Sequence, residues 1–195
     1  MRIILLDAGF SPVIENLNIQ ITENGIYTVV GAPKSGKTTL LNGISGLIPA
    51  SSGVILVGNF SPNWTVYHNL ISFWRGSEYF YPKMTGFEHL KLLAKSQKRS
   101  LQTVFDASND LKMINYIDRP VKVYPPGIQT RFDLALSSVE DKPLVLLDEP
   151  FTDIDEDSRV IACSFLSKMA QNRTIIITAN QPVDAVDPTK IITLP

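Results

Sequence analysis

The sequence predicts an α/β fold with a mainly parallel core sheet, a small antiparallel β flap and a helical subdomain. Three observations carry this. Short apolar runs of buried-strand type, Ile26 to Val30, Leu144 to Leu147 and Thr174 to Ala179, each adjoin segments of helical period. Two or three further strand patterns lie close together on either side of the first helix, too close for helical crossovers, which favours antiparallel pairing. The stretch from Tyr81 to about Tyr116 shows helical periodicity and no convincing strand.

Taken in order, Arg2 to Leu6 is an apolar run that opens the domain as a strand. Asn16 to Ile21 alternates with period two, the mark of a half-exposed strand. Glu23-Asn24-Gly25 is a turn into the Ile26 to Val30 strand. Leu40, Leu41, Ile44 and Leu47 then recur at helical spacing, and Pro49 to Gly53 turns the chain into a strand over Gly53 to Val57. Leu70 to Trp74 is a further strand candidate. Phe87, Leu90, Leu93 and Ala94 share one helical face, and Leu101, Val104 and Phe105 continue the pattern. Pro120, Pro125 and Pro126 limit regular structure before a helix over Phe132 to Ser138. After Leu144 to Leu147 come a helix with Ala162, Phe165, Leu166 and Met169 on one side, the Thr174 to Ala179 strand, and a last strand over Lys190 to Leu194. The reading is one domain over 1–195, with 1–75 and 129–195 as core plus flap and about 76–128 as the helical subdomain.

Composition narrows the function. With 44% hydrophobic and 19% charged residues, the 195-residue chain is core-forming rather than disordered. A formal charge of -1 without a basic block argues against nucleic acid as partner. A single cysteine, Cys163, excludes an internal disulfide and a Cys-rich zinc site and suits a reducing interior. No apolar run approaches the roughly 18 residues of a membrane span, and Met1 to Ala8 is too short for a signal peptide.

The most informative stretch is Gly31-Ala32-Pro33-Lys34-Ser35-Gly36-Lys37-Thr38-Thr39, set between a strand and a helix. Backbone N–H groups of such a loop surround the clustered oxygens of a polyphosphate. Lys37 is spaced to reach the β- and γ-phosphates, and Thr38 offers a hydroxyl to Mg²⁺. A nucleoside triphosphate is the expected ligand. Directly after Leu147 stand Asp148 and Glu149. Carboxylates at the C-terminal end of a buried parallel strand face the crevice where such sheets bind ligands. Asp148 is expected to hold Mg²⁺ opposite Thr38, and Glu149 to act either as general base or as the group that positions the attacking water.

With these residues in place, the chain resembles the ATP-binding subunits of ABC transporters along nearly its whole length. Val13-Ile14-Glu15-Asn16-Leu17 is similar to the strand preceding the loop, Gly31 to Thr38 to Walker A, Val145 to Glu149 to Walker B with its catalytic glutamate, and Asp153-Ile154-Asp155 to the D-loop. Leu47 to Ile55 also follows the family's habit after the first helix. The resemblance implies a P-loop NTPase core of ABC type that binds ATP and Mg²⁺, with Lys37 and Glu149 as catalytic residues. It implies that such domains pair head to tail, as homodimer or heterodimer. It further implies a separate transmembrane permease as partner, and hence a cytoplasmic place at the inner face of the membrane. Phe10 falls where the family places an adenine-stacking aromatic; an ordinary core phenylalanine is the other reading. Trp64, Trp74, Phe80 and Tyr81 suit either a permease-docking groove or an internal core. Arg131 either supports the helix that follows or is a surface arginine.

Three family positions depart from the pattern. Leu-Ser-Gly-Gly-Gln aligns with Tyr124-Pro125-Pro126-Gly127-Ile128, keeping Gly127 alone. The family glutamine falls near Gly76, and the switch histidine at Ala179 in Thr178-Ala179-Asn180. Prolines donate no N–H. Binding is therefore expected to outlast transition-state stabilisation, which implies slow hydrolysis. The alternative is a regulatory subunit that binds ATP, hardly cleaves it, and pairs with an intact ATPase.

Overall fold

The computed structural model describes residues 1–74, 81–183 and 186–194. The chain divides into two compact units: Met1–Phe73, Lys142–Pro150 and Ala170–Pro195 form the first, Trp74–Asp141 and Phe151–Met169 the second.

The first unit holds two sheets. Strands β1 (Ile3–Phe10), β2 (Ile14–Ile21) and β4 (Ser52–Val57) make an antiparallel three-stranded sheet in the order β2-β1-β4. Strand β1 runs past the expected Leu6 because it pairs on both sides, and its register shifts between Leu5 and Ala8, where Asp7 adopts φ 47°. The second sheet has the order β5-β6-β7-β3-β8, from β3 (Gly25–Val30), β5 (Ile71–Trp74), β6 (Leu144–Leu147), β7 (Thr174–Ala179) and β8 (Lys190–Thr193). Its β6–β7, β7–β3 and β3–β8 pairs are parallel. All four residues of β6 are buried, as a strand covered on both faces requires. Helix α1 (Lys37–Ser45) follows β3 and buries Leu40, Leu41 and Ile44 against the core shared with β1, β3 and β6. The short 3-10 turn Tyr67–Leu70 is anchored there, since the buried Tyr67 hydroxyl donates to Ile44 O.

The second unit is helical, with α2 (Gly86–Ser96), α3 (Leu101–Asp110), α4 (Pro126–Glu140) and α5 (Glu156–Ala170). The helical pattern read from Tyr81 to about Tyr116 forms two helices, α2 and α3. Thr85 and Glu88 start α2 with a reciprocal capping box, and Ser100 precedes α3. Helices α2, α3 and α4 pack on one another through buried Leu90, Ala94, Val104, Ala107 and Phe132. That shared core draws residues 129–141 into this unit, which is wider than the expected 76–128. Helix α4 also starts six residues before the expected Phe132. Pro126 stands in its first turn, where the missing N–H costs no intrahelical bond.

Candidate functional site

The loop between β3 and α1 is shaped by residues in unusual backbone states. Lys34 lies at φ 72° and Gly36 at φ 94°, left-handed states of the kind that let a loop aim backbone N–H groups at an anion, while the Ser35 N–H donates to Ala32 O at 3.1 Å. Gly36 caps α1 in the left-handed region, where any Cβ is strained and would also meet Val13 and Ile14. At Gly31 a Cβ would stand 2.3 Å from Ser35 Oγ, so the loop folds this tightly only around glycine. Ser35 Oγ is buried and has no hydrogen-bond partner. An orphaned hydroxyl just before a helix N-terminus is what an anion with several oxygens would satisfy.

Lys37 is only 4% exposed, and its ammonium is enclosed by acceptors. Nζ donates to Gly31 O at 2.8 Å, Ala32 O at 2.9 Å and Asn180 Oδ1 at 3.0 Å, and lies 3.3 Å from Glu149 Oε1. Thr38 Oγ1 donates to Asp148 Oδ2 at 2.7 Å, placing hydroxyl and carboxylate side by side. Hard oxygen donors of this kind fit Mg²⁺, which keeps much of its hydration. Among the described residues there is no group of three or more His, Cys, Asp or Glu for a dedicated all-protein metal cage.

Strand β7 supplies two residues that the sequence reading missed. Buried Thr178 Oγ1 donates to Asp148 Oδ1 at 2.7 Å and accepts from the Glu149 N–H at 2.8 Å. Glu149 sits at φ 46°, an unusual state for a residue with a side chain, and this bond holds its backbone there. Asn180, directly after β7, reaches both Lys37 and Glu149. The position read as the switch, Ala179, is the last residue of β7, and its neighbour carries the amide. The sequence marks the place only as two polar residues, Thr178 and Asn180, on either side of Ala179 at the end of an apolar strand.

Pro33, Lys34 and Thr38 are exposed along the loop, with Ala32, while Thr39 is partly buried in the first turn of α1. Phe10 is elsewhere. It is 3% exposed, and its ring lies where a Cβ on Gly43 of α1 would be, at 2.0 Å. The ring belongs to the core of the first unit and presents no face for a base; the core reading of Phe10 is the one the structure supports. Gly76 and Phe80 lie outside the described residues.

In the second unit, Pro125 precedes α4 and Gly127 stands in its first turn. A Cβ on Gly127 would meet Ser158 Oγ at 2.1 Å and Asp155 Oδ2 at 2.5 Å, so α4 and the start of α5 touch there. Buried Arg131 donates from Nη2 to Ser158 Oγ at 2.7 Å, which makes it a support within this unit. Asp155 accepts from the Ser158 N–H and hydroxyl at 2.7 Å each, bonds that hold its carboxyl below the usual range.

Loop, lysine, threonine and paired carboxylates thus converge at the C-terminal ends of the parallel strands β3 and β6, with β7 between them. The family model described as "ABC transporter" matches residues 14–152. The chain belongs to the ABC transporter family. This ABC nucleotide-binding domain is 27% identical over 177 residues to mouse ATP-binding cassette sub-family A member 7, matching 87% of the chain and 8% of that protein. It is 27% identical over 180 residues to the human retinal-specific phospholipid-transporting ATPase, matching 89% of the chain and again 8% of the relative. The chain therefore spans a small fraction of these curated relatives. In fold it is similar to a putative ABC transporter ATP-binding protein from Pyrococcus furiosus. That structure superposes with a TM-score of 0.86 at 20% identity, over 100% of this chain and 98% of the other. No helix among the described residues is long and apolar enough to cross a membrane.

Proposed function

We propose that this ABC ATP-binding domain binds Mg-ATP at Gly31 to Thr39, with Thr38 and Asp148 on the metal, and couples that binding to transport by a separate membrane permease. The observation that carries the reading is the meeting of Lys37, Thr38, Asp148 and Glu149 in one crevice. Lys37 serves the β- and γ-phosphates, and Glu149 activates or positions the attacking water. The domain works as one of a pair, on the inner face of the membrane, held there by its permease. Titration of the purified chain with Mg-ATP tests the reading. Binding that collapses on Lys37→Ala is expected, and no detectable binding at millimolar nucleotide would refute it.

Hydrolysis by the isolated domain is slow in this reading. Pro125 and Pro126 stand where the family lends a serine hydroxyl and a backbone N–H to a partner's γ-phosphate, and neither supplies a donor. Turnover comparable to that of a family member with an intact signature would overturn this part alone.

A further inference from the structure

The turn at residues 11–13 joins β1 to β2 and lies against the phosphate loop. A Cβ on Gly36 would stand 2.8 Å from Val13 Cγ1 and 2.9 Å from Ile14 Cγ1, so both side chains rest on the loop residue that caps α1. Ile14 is buried, whereas Val13 keeps 45% of its surface exposed. The turn is closed by its own N–H groups. Val13 N donates to Phe10 O at 3.0 Å, Ser11 N donates to Ser51 Oγ at 3.0 Å, and Pro12 has none to give. No backbone N–H of the turn is left to read a base edge. Phe10, at its start, is held inward: its ring fills the space that Gly43 leaves open, and its backbone pairs with Ile14. Among the other described aromatics of this unit, Tyr27 and Tyr67 are buried, Phe73 packs against the core, and Trp64 packs on Phe60. Trp64 O also accepts from the Tyr67 N–H, and the Tyr67 hydroxyl reaches Ile44 O. At about 1.5 Å per residue, Ile44 is about 12 Å along α1 from Gly36, so Trp64 belongs to the far end of that helix.

We propose that the base of a bound nucleotide meets Val13 and no aromatic ring, so that this site selects the triphosphate with its Mg²⁺ and is indifferent to the base. The substrate class is then nucleoside triphosphates at large, ATP among them. This rests on the nucleotide-binding reading above, and it departs from the adenine-stacking aromatic that the family resemblance implies. A nucleotide held by its phosphates at residues 31–39 carries its base one ribose beyond them, and Val13 is the exposed apolar side chain against that loop. A branched aliphatic side chain gives contact to the flat face of any base and carries no donor or acceptor. Strong discrimination comes from polar groups of a site that only the right ligand satisfies, and Val13 brings none. An aromatic ring would add stacking, from which the larger purines gain more. Phe10 cannot supply it while it fills the space over Gly43. The phosphate and metal contacts that remain are the same for every base.

The test is calorimetric titration of the full chain with the Mg²⁺ complexes of ATP, GTP, UTP and inorganic triphosphate. The three nucleotides are expected to bind the wild type within about threefold of one another. Val13→Trp adds a ring at a half-exposed position, and thermal melts check that it folds. It should strengthen ATP and GTP roughly tenfold, UTP by less, and leave inorganic triphosphate unchanged. Phe10→Leu should lower Tm, as loss of core volume does, and keep the wild-type ratio of ATP to UTP affinity. A wild-type preference for ATP over GTP or UTP of about tenfold or more would overturn the proposal and leave the nucleotide reading standing. So would a Phe10→Leu chain that loses ATP but keeps inorganic triphosphate, or a folded Val13→Trp chain that treats all four ligands as the wild type does. A wild-type chain that binds none of the four overturns that reading and this inference with it.

Discussion

Replacing Thr178 with valine changes one oxygen for one methyl group at a position with no exposed surface, so shape is kept and two hydrogen bonds vanish. The first loss leaves Asp148 Oδ1 without its donor; a hydrogen bond to a charged group contributes about 1.5–3 kcal/mol. The second leaves the Glu149 N–H unpaired, at about 1 kcal/mol or more for a partly buried group. It also releases the bond that holds Glu149 in the left-handed region. Together these give a loss of about 3 kcal/mol. For a chain of this size that corresponds to a fall in Tm of roughly 6–12 °C. Urea denaturation and calorimetric melting of wild type and Thr178→Val measure the stability loss directly. Mg-ATP binding should weaken in parallel, because Asp148 loses the partner that orients it toward Thr38. A Tm within about 2 °C of wild type, with Mg-ATP affinity unchanged, would refute the claim that Thr178 ties the two carboxylate positions together.

Two further outcomes follow from the same geometry. Asp148→Asn should weaken Mg-ATP more than metal-free ATP, since its carboxylate mainly serves the cation; equal losses with and without EDTA would assign it a structural role instead. In the second unit, burial pushes the Asp133 carboxyl up to about 7 against the opposing hydrogen bond from Gln129. A carboxyl raised on folding ionises first in the unfolded chain, so stability falls as pH climbs from the unfolded value toward about 7, and the penalty is complete above it. Asp133→Asn is expected to be more stable than wild type at about pH 8 and no different near about pH 4, which denaturation at both pH values will show.

The parts of the site that lie in one contiguous stretch were legible in the sequence. Gly31 to Thr39 combines fixed spacing with a strand before it and a helix after it, and Asp148 and Glu149 mark the end of an apolar run too short to be anything but a buried strand. The prolines misled because their cost was counted for a helix interior, whereas Pro126 occupies the first turn of α4. The sequence leaves Phe10 open between an adenine-stacking place and the core, and the structure selects the core. The sequence could not decide because the apolar run read as β1 stops at Leu6, and a regular alternation that buries Ile3 and Leu5 would have turned residue 10 outward. The register shift near Asp7 moves the buried set to Ala8 and Phe10, and a bulge of this kind leaves no mark in a hydrophobicity pattern.

Thr178 and Asn180 were illegible because their role comes from strand order, which no local pattern encodes. The order β6-β7-β3 puts β7 between the strand that delivers Asp148 and Glu149 and the strand that feeds the phosphate loop. Because β6, β7 and β3 run parallel, all three end on the same side of the sheet. Whatever residues close β7 must therefore stand between the carboxylates and the lysine, and a polar pair there has both as neighbours. Read from the sequence alone, Thr178 and Asn180 are ordinary polar residues where a strand stops. Placed at the centre of the sheet, the first fixes the backbone of Glu149 and the second reaches its side chain and Lys37. The chemistry of the crevice thus depends on β7 as much as on the two motifs that flank it.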